Sequence, residues 1–255
     1  MVTDRVQNLV RIMAVKKPDN DKKTTDISEA VTNRVGRPAR ISLDDIARVA
    51  LKIGFDEVTM IGVGQALGVD HSSLYRYVKG RKDLLLAAGD LAITELEWQK
   101  KTDNWREFAQ GVADSAWNLF ERYPGLADAM RELEATPPSG IRAFGVIANQ
   151  LEEYGFSVDE AVLLIDSMMD MTVDCFTGWR RVYKPGRIGE RGIEKVVQSW
   201  QVEANRNPDA ARPIAIMTRM MTGNPKEWWN KKLFLILEGA ESIFERRRLM
   251  YEAAE

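Results

Sequence analysis

Residues 59–82 read TMIGVGQALGVDHSSLYRYVKGRK. Two short helical patterns lie on either side of Gly68-Val69, which makes a turn. Thr59 is placed to cap the first helix and Asp70 the second, because a short side-chain oxygen can accept an otherwise unpaired first-turn N–H. Leu67 is expected inside. Leu74 and Val78 give the second helix its inward face, and Gly80 breaks it. The period that buries Leu74 and Val78 turns His71, Ser72, Ser73 and Arg76 outward. This is the layout of a helix-turn-helix, in which one helix props up another that lies in the DNA major groove.

Upstream, Ser42 is a plausible N-cap. Leu43, Ile46, Ala47 and Ala50 then line one helical face, and Gly54 ends the helix. Residues 35–40, VGRPAR, are basic, and Gly36 and Pro38 block helix. Lys16 to Asn33 is polar and reads as a mobile linker. Val6, Leu9, Val10 and Met13 have the spacing of one short amphipathic helix. Downstream the pattern is helical almost to the end. Helices are expected near 82–101, 104–122, 125–135, 139–154, 158–182, 191–204, 213–222 and 225–251, with Pro, Gly and Asn pairs as their breaks. There is no strand alternation and no internal repeat. The chain is therefore expected to be all-α, with a flexible basic extension over 1–40, a three-helix helix-turn-helix domain over 41–82 and a larger helical domain over 83–255.

The chain has 255 residues and a net charge of −2. That charge is unevenly spread. Residues 1–82 hold 15 Lys/Arg against 10 Asp/Glu, and the remainder holds 21 against 28. A basic front on an acidic body suits a molecule that meets phosphate at one end. One cysteine, Cys175, excludes an internal disulfide and fits a reducing cytoplasm. No apolar run is long enough to span a bilayer, and Asp4, Arg5 and Arg11 interrupt any secretory signal. With His71 as the one histidine, no HExxH and no glycine-rich phosphate loop, the sequence offers no catalytic triad, metal cluster or cofactor site.

A recognition helix needs short polar side chains that reach base edges, flanked by longer groups that hold phosphates. His71, Ser72, Ser73 and Arg76 fit the first role. A guanine gripped by Arg76 through two hydrogen bonds is worth about 1–3 kcal/mol of discrimination. Tyr75 and Tyr77 carry hydroxyls suited to phosphate oxygens, although Tyr77 can equally cover the core. Lys79, Arg81 and Lys82 follow at the helix end. Arg34, Arg37 and Arg40 suit an arm that follows the minor groove, with a solvated tail as the alternative.

Helix, GFDEVT, helix and LGVDHSSLYRYVKGRKDLL together closely resemble the DNA-binding domain of the TetR family, over about Ser42 to Leu86. The segment LYRYVKGRKDLL is the most specific part and looks closest to the tetracycline-repressor branch. The resemblance places His71, Ser72, Ser73, Tyr75, Arg76 and Tyr77 at recognition-helix contact positions. It puts Arg81 where a phosphate-binding lysine usually stands, and Thr59 at the phosphate-facing start of the second helix. Ile61 departs from the pattern, standing where many relatives carry a polar or basic contact. Gly62 and Gly64 weaken the second helix, by about 1 kcal/mol each relative to Ala, unless Gly64 serves a close approach.

The resemblance further implies a homodimer on operator DNA, built from Val158–Tyr183 and Lys226–Arg247. Both segments are apolar beyond the needs of a helix with one wet side. It also implies a small-molecule cavity in the body, for which Trp98, Trp117, Met130, Phe144, Met168, Met171, Phe176 and Trp200 are the candidate walls. Each of these residues is equally consistent with ordinary core. A body without histidine argues against a tetracycline–magnesium chelate of the kind held partly by histidine. Asp166, Asp170 and Asp174 suit a cationic or hydroxylated ligand, or form one solvated stripe. The expected function is a cytoplasmic, DNA-bound repressor released by an effector of unknown identity. An activator or architectural regulator without an inducer, and a helical enzyme, are the alternatives.

Overall fold

The computed structural model describes residues 41–183 and 192–252. The expected N-terminal helix, the polar linker and the basic arm with Arg34, Arg37 and Arg40 lie outside the described residues. Helix α1 (Leu43–Ile53) opens on a capping box. The Ser42 hydroxyl accepts the Asp45 N–H, and the Asp45 carboxylate accepts the Ser42 N–H in return. Those bonds hold the Asp45 carboxyl below the usual carboxylate range. Ile46, Ala47 and Ala50 are buried as expected, but Leu43 is 47% exposed, because the first residue of the helix projects past the end of the core.

Helix α2 (Met60–Leu67) is capped by Thr59, whose hydroxyl oxygen accepts the Gly62 N–H at 3.0 Å. Gly68 follows in the left-handed region at φ 66°, where a side chain would strain the backbone. A Cβ at Gly64 would sit 3.0 Å from the His71 Cα and 3.1 Å from the Val69 carbonyl oxygen. Its place in a helix thus reflects the tight crossing of α2 against the next element.

That element, His71–Arg76, is a 3-10 helix rather than the expected α-helix. Asp70 caps it, accepting the Ser72 N–H at 2.8 Å. Its first bond runs from the Ser73 N–H to the Asp70 carbonyl, three residues back. Eleven residues between Gly68 and the break at Gly80 leave too little chain to propagate an α-helix. The paired serines add little helical preference, so the tighter turn wins.

The body comprises α3 (Arg81–Thr94), α4 (Trp105–Arg122), α5 (Leu126–Glu132), α6 (Pro138–Glu153), α7 (Val158–Tyr183), α8 (Gly192–Arg206), α9 (Ala211–Thr222) and α10 (Pro225–Glu252). The described residues contain no strand. Helix α3 ends at Thr94, seven residues before the expected stop. Beyond it Leu96 and Trp98 turn inward while Glu97 stays exposed, an extended alternation that a helical reading misses.

Two hydrophobic cores organise the chain. The first joins Ile46, Val58, Val63, Leu74, Val78 and Leu84 to Leu119, Phe120 and Leu126. It therefore runs from the helix-turn-helix into α4 and α5 without a break. The second packs α4, α6, α7 and α10 around Trp117, Leu151, Met168, Trp229 and Leu233. The Trp229 indole N–H donates to the Thr172 hydroxyl at 2.9 Å, and that hydroxyl donates to the Met168 carbonyl, so these buried polar groups satisfy one another. Helices α8 and α9 pack mainly on each other, with Ile193 their buried residue.

Candidate nucleic-acid interface

Leu74, fully buried, and Val78 anchor the 3-10 helix from within. The opposite side presents His71, Ser72, Tyr75 and Arg76 to solvent, with Tyr75 55% exposed. His71 has its Nδ1 3.8 Å from the Asp70 carboxylate. The hydrogen bonds from Ser72 hold the Asp70 carboxyl below the usual carboxylate range. Ser73 is half-buried at the edge of this face. Thr59 is exposed at the start of α2, its hydroxyl proton still available to an acceptor. Lys79 is exposed, and its backbone N–H is held by the Asp83 carboxylate at 2.8 Å.

Two expected contacts are placed differently. Tyr77 is half-buried, and its hydroxyl donates to the Ile41 carbonyl at 2.8 Å, fastening the chain entry to the motif instead of reaching for phosphate. Arg81 turns its guanidinium back on the loop between α1 and α2. It donates to the Phe55 carbonyl at 2.9 Å and the Val58 carbonyl at 3.3 Å, and it lies 3.5 Å from the Glu132 carboxylate. A fork of five donors finds carbonyls that a lysine at this position would reach one at a time. Arg37 and Arg40 lie outside the described residues. Ile61 is 56% exposed on α2, an apolar group open to solvent.

In the body, Trp98, Trp117, Phe144, Met168, Met171 and Phe176 gather in the second core, with Trp98 and Phe176 also touching the first. Met130 belongs to the first core alone, and Trp200 lies exposed on α8, away from both. Those two positions separate because helical periodicity reports a buried side but not which core receives it. The Trp117 ring packs 4.5 Å from Phe176 and 4.8 Å from Trp229, and its buried indole N–H has no partner among the described residues. Asp166 and Asp170 are exposed, and Asp174 pairs with Arg131 at 2.7 Å, so this stripe faces solvent. On α7 and α10, Leu163 (57% exposed), Phe234 and Leu235 (70% exposed) form an apolar outer face. No helix among the described residues is long and apolar enough to cross a membrane.

The described residues set a helix-turn-helix at the start of an all-helical body. No family model matches the chain. It is 26% identical over 150 residues to the HTH-type transcriptional repressor DrrR1 of Streptomyces coeruleorubidus, covering 51% of this chain and 53% of that protein. The chain thus spans about half the length of the curated relative it matches. Among solved structures it is similar to the TetR family protein ActR of Streptomyces coelicolor in complex with (S)-DNPA, with TM-score 0.65 and 20% identity over 80% of this chain and 98% of that one. ActR in complex with actinorhodin gives TM-score 0.64 at 21% identity, over 80% and 98%. A TetR variant from Acinetobacter baumannii in complex with minocycline gives TM-score 0.52 at 16% identity, over 79% and 95%. The fold is that of the TetR-family regulators.

Proposed function

We propose that this chain is a cytoplasmic, sequence-specific DNA-binding repressor that is released from its operator by a small molecule. One observation carries the reading. A capped element is anchored through Leu74 and Val78, and it presents Ser72, Tyr75 and Arg76 outward at the basic end of the chain. Arg76 and the serines address base edges, while Thr59, Tyr75 and Lys79 address phosphates. The relative named as a repressor supports the sign of regulation.

The protein acts as a homodimer. The apolar outer face of α7 and α10, with Leu163, Phe234 and Leu235, supplies a self-complementary patch of the kind a two-fold interface needs. An aromatic effector suits the second core, where the Trp117 N–H waits for an acceptor among rings that stack. The similar ActR and TetR structures, solved in complex with actinorhodin and minocycline, support a small-molecule effector. The effector favours a body conformation that moves the two reading elements off operator spacing, and operator DNA weakens effector binding by the same factor.

Selection of bound genomic fragments by the purified full chain tests the DNA-binding reading. The expected result is a palindromic site whose affinity falls steeply with salt and whose specificity relaxes in Arg76→Ala. Recovery of random sequence with equal affinity would reject it. Sedimentation of Leu235→Glu tests the dimer: the variant is expected as monomer, and an unchanged mass would remove α10 from the interface.

A further inference from the structure

The loop between α1 and α2 is gripped from two directions. Arg81 of α3 takes the Phe55 and Val58 carbonyls from one side. From the other side comes Arg180, near the C-terminal end of the long helix α7. One of its amino groups donates to the Asp56 carboxylate and the other to the Asp128 carboxylate of α5 at 2.9 Å. Its side chain is only 17% exposed, so the guanidinium lies in a crevice and not on an open surface. Gly125 forms the floor of that crevice. A Cβ there would meet the Asp56 carboxylate at 2.9 Å, the Phe55 Cβ at 3.0 Å and the Arg180 guanidinium at 3.1 Å, and its φ of 92° also disfavours any side chain. The backbone has therefore been left bare where helix-turn-helix loop, α5 and α7 converge.

We propose that Arg180 is a positioning residue that sets the angle of the reading element on the body, by tying α7 to the helix-turn-helix loop through Asp56. The inference rests on the DNA-binding reading and adds a residue to it. Helix α7 also carries the outer apolar face proposed for the dimer, so one rigid rod runs from the two-fold axis to the loop that precedes α2. A planar guanidinium that gives one amino group to each of two carboxylates fixes direction as well as distance. The shared hydrophobic core sets how closely the module packs on α5, and the Arg180 fork adds a directional tie between them. The fork thereby fixes the separation of the two reading elements across the dimer.

The test uses duplexes selected from a random library by the wild-type full chain, then remade with the central spacer one or two base pairs longer or shorter. Wild type is expected to lose about tenfold or more in affinity on a two-base-pair change, because rigidly held elements fall out of register with their half-sites. Arg180→Met and Asp56→Asn are each expected to bind the selected duplex within about threefold of wild type and to lose less than about threefold on the changed spacers. Their double variant is expected to match either single one. Asp56→Asn alters no body residue, so it serves if Arg180→Met folds poorly by circular dichroism. A purely structural arginine would lower stability in both variants and leave the spacer preference intact, and that result overturns the proposal. Failure of the wild type to select any duplex overturns the DNA-binding reading as well, and so is told apart from it.

Discussion

Gly64→Ala isolates the contact that seats the reading element. Two opposing effects decide its sign. Within α2 the substitution gains about 1 kcal/mol of helix preference. The added Cβ, however, lands 3.0 Å from the His71 Cα and 3.1 Å from the His71 nitrogen and the Val69 carbonyl. Carbon atoms in ordinary contact sit about 3.5–4.0 Å apart, so the backbone at His71 must retreat by about half an ångström. Overpacking of that kind costs about 1–3 kcal/mol, and the displaced atoms are main chain, which cannot swing aside as a flexible side chain does. Gly145→Ala is the matched control. It lies within α6, and a Cβ there meets nothing within 4 Å, so it keeps the helix gain without the clash. Urea denaturation of the full chain is expected to place Gly64→Ala below Gly145→Ala by about 1–3 kcal/mol, the helix preference cancelling between them. Fluorescence anisotropy on the selected duplex is expected to show about a tenfold loss for Gly64→Ala, the scale of one lost base contact, and none for Gly145→Ala. Equal stability of the two variants together with full DNA affinity of Gly64→Ala would refute the argument that this approach limits residue 64.

Other consequences are accessible to the same assays. Tyr77→Phe removes the bond to the Ile41 carbonyl and is expected to cost about 0.5–1.5 kcal/mol in denaturant while leaving affinity for the selected duplex unchanged; a several-fold loss of DNA affinity with full stability would return Tyr77 to the phosphate contacts. Thr172→Val strands the buried Trp229 N–H and is expected to cost about 1–3 kcal/mol, partly recovered by adding Trp229→Phe; an unchanged denaturation midpoint would show that water replaces the hydroxyl. The Asp45 and Asp70 carboxyls are both held down by their capping bonds, so their contribution is complete above the ordinary carboxylate range and disappears as pH falls through the depressed values. Acid unfolding monitored by circular dichroism is therefore expected to steepen below about pH 4 in wild type and to flatten in the double variant Asp45→Asn, Asp70→Asn, whereas identical acid limbs would exclude the caps as its source.

Sequence pattern locates most helices because their boundaries are written in local chemistry. Pro124-Gly125, Pro137-Pro138 and Asn224-Pro225 stop or start helices wherever they fall, and Ser42, Thr59 and Asp70 each cap the helix expected of them. Where no breaker stands, the reading overruns. Helix α3 stops at Thr94 although the next strong break is Asp103-Asn104, because Leu96 and Trp98 bury themselves better from extended chain. The outward placement of His71, Ser72 and Arg76 is legible from the period that buries Leu74 and Val78, whereas Ser73, expected outward with them, is half-buried. The bonds of Tyr77 and Arg81 are not legible, since each goes to a carbonyl brought up by tertiary folding, Ile41 in one case and Phe55 and Val58 in the other. Arg180 lies 124 residues from Asp56, and no local signal joins them. Trp200 has the same helical spacing as a core residue, yet α8 packs on α9 and leaves it outside.

The first hydrophobic core holds Leu119, Phe120 and Leu126 alongside Val63 and Leu74. A fragment cut after Lys82 would keep the reading element but lose the wall it leans on, exposing oily surface where α4 and α5 had been. Anyone grafting this head onto a foreign sensor should therefore carry the chain through Glu132, or redesign the seam. The same continuity means that a change of side chain on the inner face of α4 or α5 also shifts how the helix-turn-helix is seated.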